Sequence, residues 1–191
     1  MSKSTGKIGQ IRIIGGQWRG RKLSVLNSEG LRPTTDRVRE TLFNWLAPWL
    51  PQANCLDCYA GSGALGIEAA SRYAAQVTLI EKEAHVARQL QKNIDVLNAP
   101  QLTLHHADTL RYLAQSRPDK PFNIVFIDPP FRRGLLEHTI QLLESHQWLA
   151  EDAVIYTENE VEQGTPSVPV NWALYREKFA GQVCYRLYHR Q

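Results

Sequence analysis

The sequence predicts an α/β fold built on a doubly wound, mostly parallel sheet. Short apolar runs of strand length alternate along the chain with longer segments in which apolar residues recur at helical spacing. The run before Asp57 opens into a glycine-rich loop and then a helix, and the run 122–127 ends in Asp-Pro-Pro-Phe at residues 128–131. Both features suit the carboxyl ends of parallel strands, where open α/β sheets bind their ligands.

The N-terminal part of the chain is basic. Residues 1–40 hold nine Lys or Arg against three acids, whereas residues 41–191 hold 13 against 16. Clustered cations beside an aromatic residue are typical of a surface that contacts RNA. A basic tail that only solubilises the protein is the alternative. The candidate RNA-binding residues here are Arg19, Arg21 and Lys22, which follow Trp18.

We expect this basic segment to be partly ordered. Residues 10–30 are predicted to form a β-hairpin extension with Gly15-Gly16 at its turn, because apolar residues such as Ile11 and Ile13 alternate with polar ones. Residues 1–9 are polar and are predicted to form a disordered tail. The main domain then covers residues 31–191.

Within the main domain, helices and strands alternate. Thr35 or Asp36 caps a first helix that ends before Pro48. After the glycine loop and its helix, the predicted order is strand 77–80, helix 82–98, strand 102–104, helix 108–114, strand 122–127, helix 134–148 and strand 153–156. Segments 172–179 and 182–188 are predicted to form a closing antiparallel hairpin.

The glycine loop and the residues around it indicate a nucleoside-type cofactor. Gly61, Gly63 and Gly66 have the spacing of a dinucleotide-binding loop, and Glu81 ends the next apolar run, where a carboxylate can hold a ribose. Taken alone, this pattern equally supports a nicotinamide cofactor. Asp57, however, stands just before the glycines, where it would repel a pyrophosphate and attract a cationic ligand.

The Asp-Pro-Pro-Phe motif predicts a rigid turn out of the sheet. Two prolines fix the backbone and prevent further strand pairing, so the carboxylate of Asp128, the carbonyl of Pro129 and the ring of Phe131 are held together. Such a set can accept hydrogen bonds from a planar amine and stack on its ring, which is what positioning a nucleobase requires. A simple proline turn after a strand is the structural alternative.

In order and spacing these motifs resemble the class I S-adenosylmethionine-dependent methyltransferases that modify amino nitrogens. More closely, residues 12–21, 31–40 and 129–136 resemble the RsmD family, and the resemblance runs from about Gln10 to the C-terminus. It implies a Rossmann-like seven-stranded sheet with a C-terminal antiparallel hairpin and S-adenosylmethionine as cofactor. The implied activity is methyl transfer to a guanine N2 of 16S rRNA, in the small ribosomal subunit or an assembly intermediate.

The resemblance also implies roles for single residues. Asp128 and the Pro129 carbonyl would accept the two protons of the guanine amine while Phe131 stacks on the base. Arg132 and Arg133 follow the Asp-Pro-Pro-Phe turn directly, and from that position we expect them to contact substrate phosphate; a solvated surface is the alternative. The cofactor-binding residues would be Asp57 near the methionine portion, Gly61 and Gly63 at the backbone, Glu81 on the ribose, Asp108 on the adenine amine, and Thr34. Thr34, with Arg32 and Arg37, could bind the methionine carboxylate or an RNA phosphate, or it could simply belong to a capped helix start.

Three rival functions share part of this pattern. A nicotinamide oxidoreductase would use the glycine loop but would leave the Asp-Pro-Pro-Phe motif and the basic arm without a purpose. An adenine-N6 methyltransferase acting on RNA or DNA would use the same chemistry on another exocyclic amine. A non-catalytic RNA-binding ribosome assembly factor would keep the fold and would not need Asp128.

Composition points to a soluble, cytoplasmic protein. No apolar stretch approaches the roughly 18 residues that span a bilayer, and residues 1–7 lack the apolar core of a signal peptide. Cys55 and Cys58 have the spacing of a redox or zinc pair, but few further ligands stand nearby. We therefore expect reduced, buried thiols and no metal site. A small enzyme that docks on a large particle gains little from symmetry, so we expect a monomer.

Overall fold

The structure, a computed structural model, describes residues 8–26 and 34–191. Within these ranges the chain forms nine β-strands and five α-helices. The strands are β1 (Ile8–Arg12), β2 (Lys22–Leu26), β3 (Asn54–Asp57), β4 (Gln76–Glu81), β5 (Leu102–His106), β6 (Phe122–Ile127), β7 (Leu149–Glu160), β8 (Trp172–Ala180) and β9 (Val183–Arg190). The helices are α1 (Asp36–Leu46), α2 (Ala64–Ser71), α3 (Ala84–Leu97), α4 (Thr109–Gln115) and α5 (Leu135–Ser145). Across both ranges, every helix is too short or too polar to cross a bilayer.

Seven of these strands form one sheet, in the order β5-β4-β3-β6-β7-β9-β8. The first five in this order are parallel, and β9 pairs antiparallel with both β7 and β8. The chain winds outward from β3 through β4 to β5 and then crosses back to β6, so the strand order reverses between β3 and β6. β1 and β2 form a separate antiparallel hairpin. The predicted doubly wound fold is confirmed.

The sheet is covered on both faces because side chains of its central strands alternate between two cores. Ile124 and Phe126 lie in the core shared with the β1–β2 hairpin, α1, α2 and α3, whereas Val125 and Ile127 lie in the core shared with α4 and α5. The continuous apolar run of β6 follows from this double burial.

The cysteines also divide between these cores. Cys55 belongs to the first core and Cys58 to the second, and both side chains are fully buried. Cys184 is buried and free as well. Cys55 and Cys58 therefore lie on opposite faces of the sheet, and both are free and buried.

The hairpin begins earlier than predicted. Ile8 and Gly9, the last two residues of the tail expected to be disordered, pair with β2 as part of β1. The rest of that tail, residues 1–7, lies outside the described residues, as does segment 27–33 with Arg32. The hairpin that the structure describes thus starts at Ile8 and not at Gln10.

β7 is the largest departure from the predicted elements. The apolar run 153–156 predicted a short strand, but β7 has 12 residues and continues to Glu160. Because β6 pairs with it on one side and β9 on the other, the hydrogen-bonded ladder extends beyond the apolar run. The polar residues Thr157, Glu158 and Asn159 are buried as a result.

One buried carboxylate fixes the hairpin to the domain. Glu68 of α2, whose side chain is 0% exposed, accepts hydrogen bonds from the backbone N–H groups of Ile14 at 3.0 Å and Gly15 at 2.8 Å. Arg72 pairs with it at 2.8 Å and Arg39 at 3.6 Å. Two cations and two amides compensate the loss of hydration, so the carboxylate is stable inside the protein.

Gly16 allows the connection between β1 and β2 to lie directly on α2. Its φ is +77°, and a Cβ at this position would lie 1.9 Å from the carbonyl oxygen of Ser71. The Ser71 hydroxyl accepts a hydrogen bond from Trp18 N at 3.1 Å and donates one to Gly15 O at 2.6 Å. The backbone of the connection thus lies directly against the backbone of α2, and no side chain fits between them.

The fit at Gly16 can be tested with a matched pair of substitutions. Gly16→Ala and Gly20→Ala both place alanine at positive φ, which costs about 1–2 kcal/mol, but a Cβ at Gly20 meets nothing within 4 Å. We expect Gly16→Ala to lower the free energy of unfolding by about 1–3 kcal/mol more than Gly20→Ala, as measured by urea denaturation. Trypsin should also cleave the hairpin faster in Gly16→Ala. Equal losses in the two variants would show that the hairpin does not need this close contact.

Candidate active site

The predicted site residues follow neighbouring parallel strands at one edge of the sheet. Asp57 ends β3 and Glu81 ends β4, while Asp108 and Asp128 follow β5 and β6. In the β3–β6 pairing Asp57 lies opposite Phe126, so Asp128 stands two residues beyond it on the adjacent strand. The edge therefore carries four carboxylates from four adjacent strands, beside the reversal of strand order.

Asp57 is the most deeply buried of these carboxylates, with 1% of its surface exposed. Its Oδ2 accepts a hydrogen bond from Gly66 N at 3.2 Å, while Oδ1 has no partner among the described residues. Burial, assisted by the nearby charge of Glu81, raises the pKa of Asp57 from 3.8 to about 7, although hydrogen bonds from the backbone oppose the shift. A buried carboxyl group with one unused oxygen can therefore meet a cation or a hydrogen-bond donor.

Glu81 closes the glycine loop. Its Oε2 accepts a hydrogen bond from Gly61 N at 2.8 Å, and its Oε1 accepts one from Glu83 N at 2.7 Å. Gly63 has φ +81°, and a Cβ there would lie 2.5 Å from Cδ1 of Leu90. Position 63 therefore requires glycine, because of both its positive φ and the lack of space for a side chain. Glu81 holds the loop against the carboxyl end of β4.

Asp108 lies at the next strand end and caps α4. Its Oδ1 accepts a hydrogen bond from Arg111 N at 3.1 Å, and Lys82 Nζ lies 3.1 Å from Oδ2. The backbone hydrogen bond is the largest of the interactions that lower the pKa of Asp108. This side chain is therefore an ionised acceptor, exposed enough to meet a polar ligand group.

Asp128 stands beside a second acid that the sequence analysis did not single out. β6 pairs with β7 so that Ile127 lies opposite Thr157, which places Glu158 next to Asp128. Burial raises the pKa of Asp128 well above 3.8, and the charges of Glu158 and Asp57 raise it further. Burial also raises the pKa of Glu158. Two acids in this setting readily share a proton.

A small pocket opens beside this pair. Its lining includes Pro129, Arg132, Arg133, Glu158 and Gln163. Arg132 has φ +60° and its N–H donates to Glu160 Oε1 at 2.7 Å, so a side chain of β7 fixes the turn after the prolines. The half-buried ring of Phe131 makes none of the ring–ring contacts found among the described residues. The loops after β6 and β7 therefore form one cleft.

The remaining candidates lie apart from this cleft. Arg19, Arg21 and Lys22 are exposed on the hairpin, which packs against α2 and α3, and Arg21 NH2 donates to Val96 O at 3.3 Å. Thr34 precedes Thr35, whose hydroxyl caps α1 by accepting from Val38 N. The structure thus brings Asp57, Glu81, Asp108 and Asp128 to one edge and keeps the hairpin cations on another surface.

Two acids with evident structural importance escaped the sequence analysis. Glu158 directly follows an apolar run, as Asp57 and Asp128 do, and that position was the available signal. Glu68 sits inside a helix among small apolar residues, where a lone acid indicates a buried partner. Over residues 8–26 and 34–191, no group of three or more acids, histidines or cysteines could hold a metal ion.

The chain is similar in sequence and structure to known bacterial proteins. Residues 11–189 match the family described as "Conserved hypothetical protein 95". Ribosomal RNA small subunit methyltransferase D of Escherichia coli K12 is 64% identical over 183 residues, which cover 96% of this chain and 91% of that protein. The protein of the same name from Haemophilus influenzae is 50% identical over 182 residues, 94% of each chain. The solved structure of yhhF from E. coli, described as a methyltransferase, has a TM-score of 0.90 at 62% identity and covers 96% of this chain and 99% of its own.

The pKa of Asp57 predicts a pH-dependent stability. Between about pH 4 and 7 folded Asp57 binds a proton that the unfolded chain releases, so its contribution to stability falls as pH rises through this window and levels off above it. We expect Asp57→Asn, which keeps an acceptor for Gly66 N, to remove this part of the slope. Urea denaturation of the ligand-free protein from pH 5 to 8 measures it.

The exposed Asp152 provides the control for this experiment. Asp152→Asn should keep the slope of the unsubstituted protein. Asp128 and Glu158 contribute a slope of the same sign in all three proteins, so the difference between the curves reports Asp57 together with its charge interaction with Asp128. Parallel curves for Asp57→Asn and the unsubstituted protein would contradict the assignment.

Proposed function

The chain belongs to the family described as conserved hypothetical protein 95, the RsmD family of methyltransferases, and from this premise we propose its reaction. It transfers a methyl group from S-adenosylmethionine to the exocyclic N2 amine of one guanine in 16S rRNA. The substrate is the small ribosomal subunit or one of its assembly intermediates. The observation that supports this best is the pairing of β3 with β6, which brings Asp57 and Asp128 to one edge.

The residues around Asp57 fit such a cofactor. The unpartnered Oδ1 of Asp57 is a buried acceptor, and the cationic methionine portion would favour its charged form. Gly61, which donates to Glu81, and Gly63, which packs against Leu90, shape the loop beside which a nucleoside would lie, with Glu81 for the ribose hydroxyls and Asp108 for the adenine amine. Thr34 stays a prediction for the methionine carboxylate. When bound, S-adenosylmethionine supplies an electrophilic methyl group on sulfur.

The protein's part in the reaction is to orient the acceptor amine. Asp128 and the carbonyl of Pro129 accept its two N–H groups, and the ring of Phe131 stacks on the base. This holds the nitrogen lone pair toward the side of the edge where Asp57 lies. The nitrogen gains the methyl group and releases one proton, which passes to Asp128 or to solvent. Alignment and electrostatics therefore supply most of the catalysis.

Exposed cations supply the contacts to RNA. Arg19 and Lys22 lie on the hairpin, and Arg132 and Arg133 line the small pocket that begins at Pro129, the residue after Asp128. Cations at both places can bind phosphates on either side of an extruded nucleotide. Because Glu68 and Gly16 fix the hairpin, the two basic surfaces keep a constant separation.

A direct test uses small ribosomal subunits from cells that lack this protein. Incubation with S-adenosylmethionine and the purified protein should yield N2-methylguanosine, identified by mass spectrometry after digestion of the RNA. Asp128→Ala should lower the rate at least 100-fold, on the order of one lost electrostatic contact in an active site, while the exposed Asp152→Ala should not. If the product is N6-methyladenosine, the target base is adenine and not guanine. If no product forms although cofactor binding is measured, the small ribosomal subunit is not the substrate.

The hairpin cations should contribute mainly through phosphate charge. Arg19→Ala combined with Lys22→Ala should weaken binding to the small subunit and reduce the slope of log K against log salt by about 2, one for each lost phosphate contact. Lys178→Ala, on the exposed face of β8, is the matched control. Filter binding between 50 and 200 mM salt measures the slope, and an unchanged slope would remove the hairpin from the RNA interface.

A further inference from the structure

We propose that Glu158 reads the target base: it accepts a hydrogen bond from the ring N1–H of guanine while Asp128 accepts from the N2 amine. This inference rests on the proposed function and adds to it a residue that selects guanine over other bases that carry an amine. It also gives the two acids at the cleft distinct tasks.

The first support is the position of Glu158. Parallel pairing of β6 and β7 sets Ile127 opposite Thr157, so Asp128 and Glu158 are the next residues on adjacent strands. Glu158 is only 7% exposed, yet it lines the pocket that also contains Pro129. A buried side chain on the wall of the cleft is placed to meet the same bound group as its neighbour.

The second support is the lack of a cation. Tyr156 OH donates to Glu158 Oε2 at 3.0 Å, and the other hydrogen-bonding neighbour of this carboxyl group is the acid Asp128. The ion pairs formed within the same ranges also leave Glu158 out. A second acid beside Asp128 without a counter-ion is unfavourable in the free protein. Bound donors would relieve this cost.

The third support is the chemistry of the base. Guanine presents N1–H and the N2 amine side by side on its Watson–Crick edge, so adjacent carboxylates can accept from both groups. Adenine presents an acceptor at N1 beside its N6 amine, and a carboxylate opposite that nitrogen is repelled. A pair of acids therefore distinguishes guanine from adenine and also from cytosine, whose N3 beside the N4 amine is an acceptor as well, whereas one carboxylate on the amine alone does not.

A purely structural role for Glu158 makes a different prediction. If the carboxylate only holds the hydroxyl of the fully buried Tyr156, its loss should disturb every substrate equally. The test must therefore measure how a change at Glu158 alters the ratio of methylation rates on two target bases, and not only the rate on one. 2-Aminopurine serves this purpose, because it keeps the amine but has an unprotonated N1.

The experiment uses small subunits reconstituted around 16S rRNA that carries guanosine or 2-aminopurine at the mapped methylation site. Methylation of both is followed with the unsubstituted protein and with Glu158→Gln, whose amide can still accept from Tyr156 and can donate to an unprotonated N1. We expect the preference for guanosine over 2-aminopurine to narrow roughly 10- to 100-fold in Glu158→Gln, the range for loss of a base-edge contact. Glu151→Gln, exposed at the opposite end of β7, should keep the full preference.

Other outcomes separate the two proposals. A proportional loss on both bases, or no loss on either, would overturn the role of Glu158 and leave the proposed function intact. If the unsubstituted protein methylates neither substrate, both proposals fail. 2-Aminopurine also lacks O6, but the effect of that loss on the rate is common to both proteins. It therefore cancels when the substrate preferences of the two proteins are compared. Urea denaturation of Glu158→Gln checks the fold, and inosine at the target, which has no amine, should give no product with any protein.

Discussion

The parallel pairing of β3 with β6 is the contact on which the candidate site depends. Residues 55–57 pair with residues 124–126 across a sequence separation of 69. This pairing closes the two halves of the sheet and creates the reversal of strand order at which the cleft forms. It also brings Asp57 and Asp128 to one buried edge, where the charge of Asp57 helps to raise the pKa of Asp128. The same strand pairing therefore determines both the position of the cleft and the charge environment of its acids.

α2 links this edge to the N-terminal hairpin. At its first turn the N–H of Gly66 donates to Asp57, and two residues further along Glu68 accepts from the hairpin backbone. Gly66 has no room for a side chain, because a Cβ there would lie 2.2 Å from Cδ2 of Leu79. One short helix thus fixes the buried acid on one side and the basic hairpin on the other, and neither can move without the helix.

Most strands and helices of the fold could be predicted from local sequence. The apolar runs define β4 and β6 because both faces of these strands are buried, and the two prolines mark the end of β6. The length of β7 was not predictable, since Thr157, Glu158 and Asn159 look like a polar loop and become strand only through pairing with distant neighbours. Glu158 was missed for that reason. The roles assigned to the site residues stay predictions, although the structure places most of them at one edge.

The close contact at Gly16 also bears on conformational entropy. A flexible basic arm would lose its freedom when it meets a polyanion, and that loss would weaken the complex. Here the loss occurs during folding, when Gly16 settles against Ser71 and Glu68 takes up the two amides. The arm enters an encounter already ordered. A partner of matching shape is therefore favoured, and one that would require the arm to bend is disfavoured.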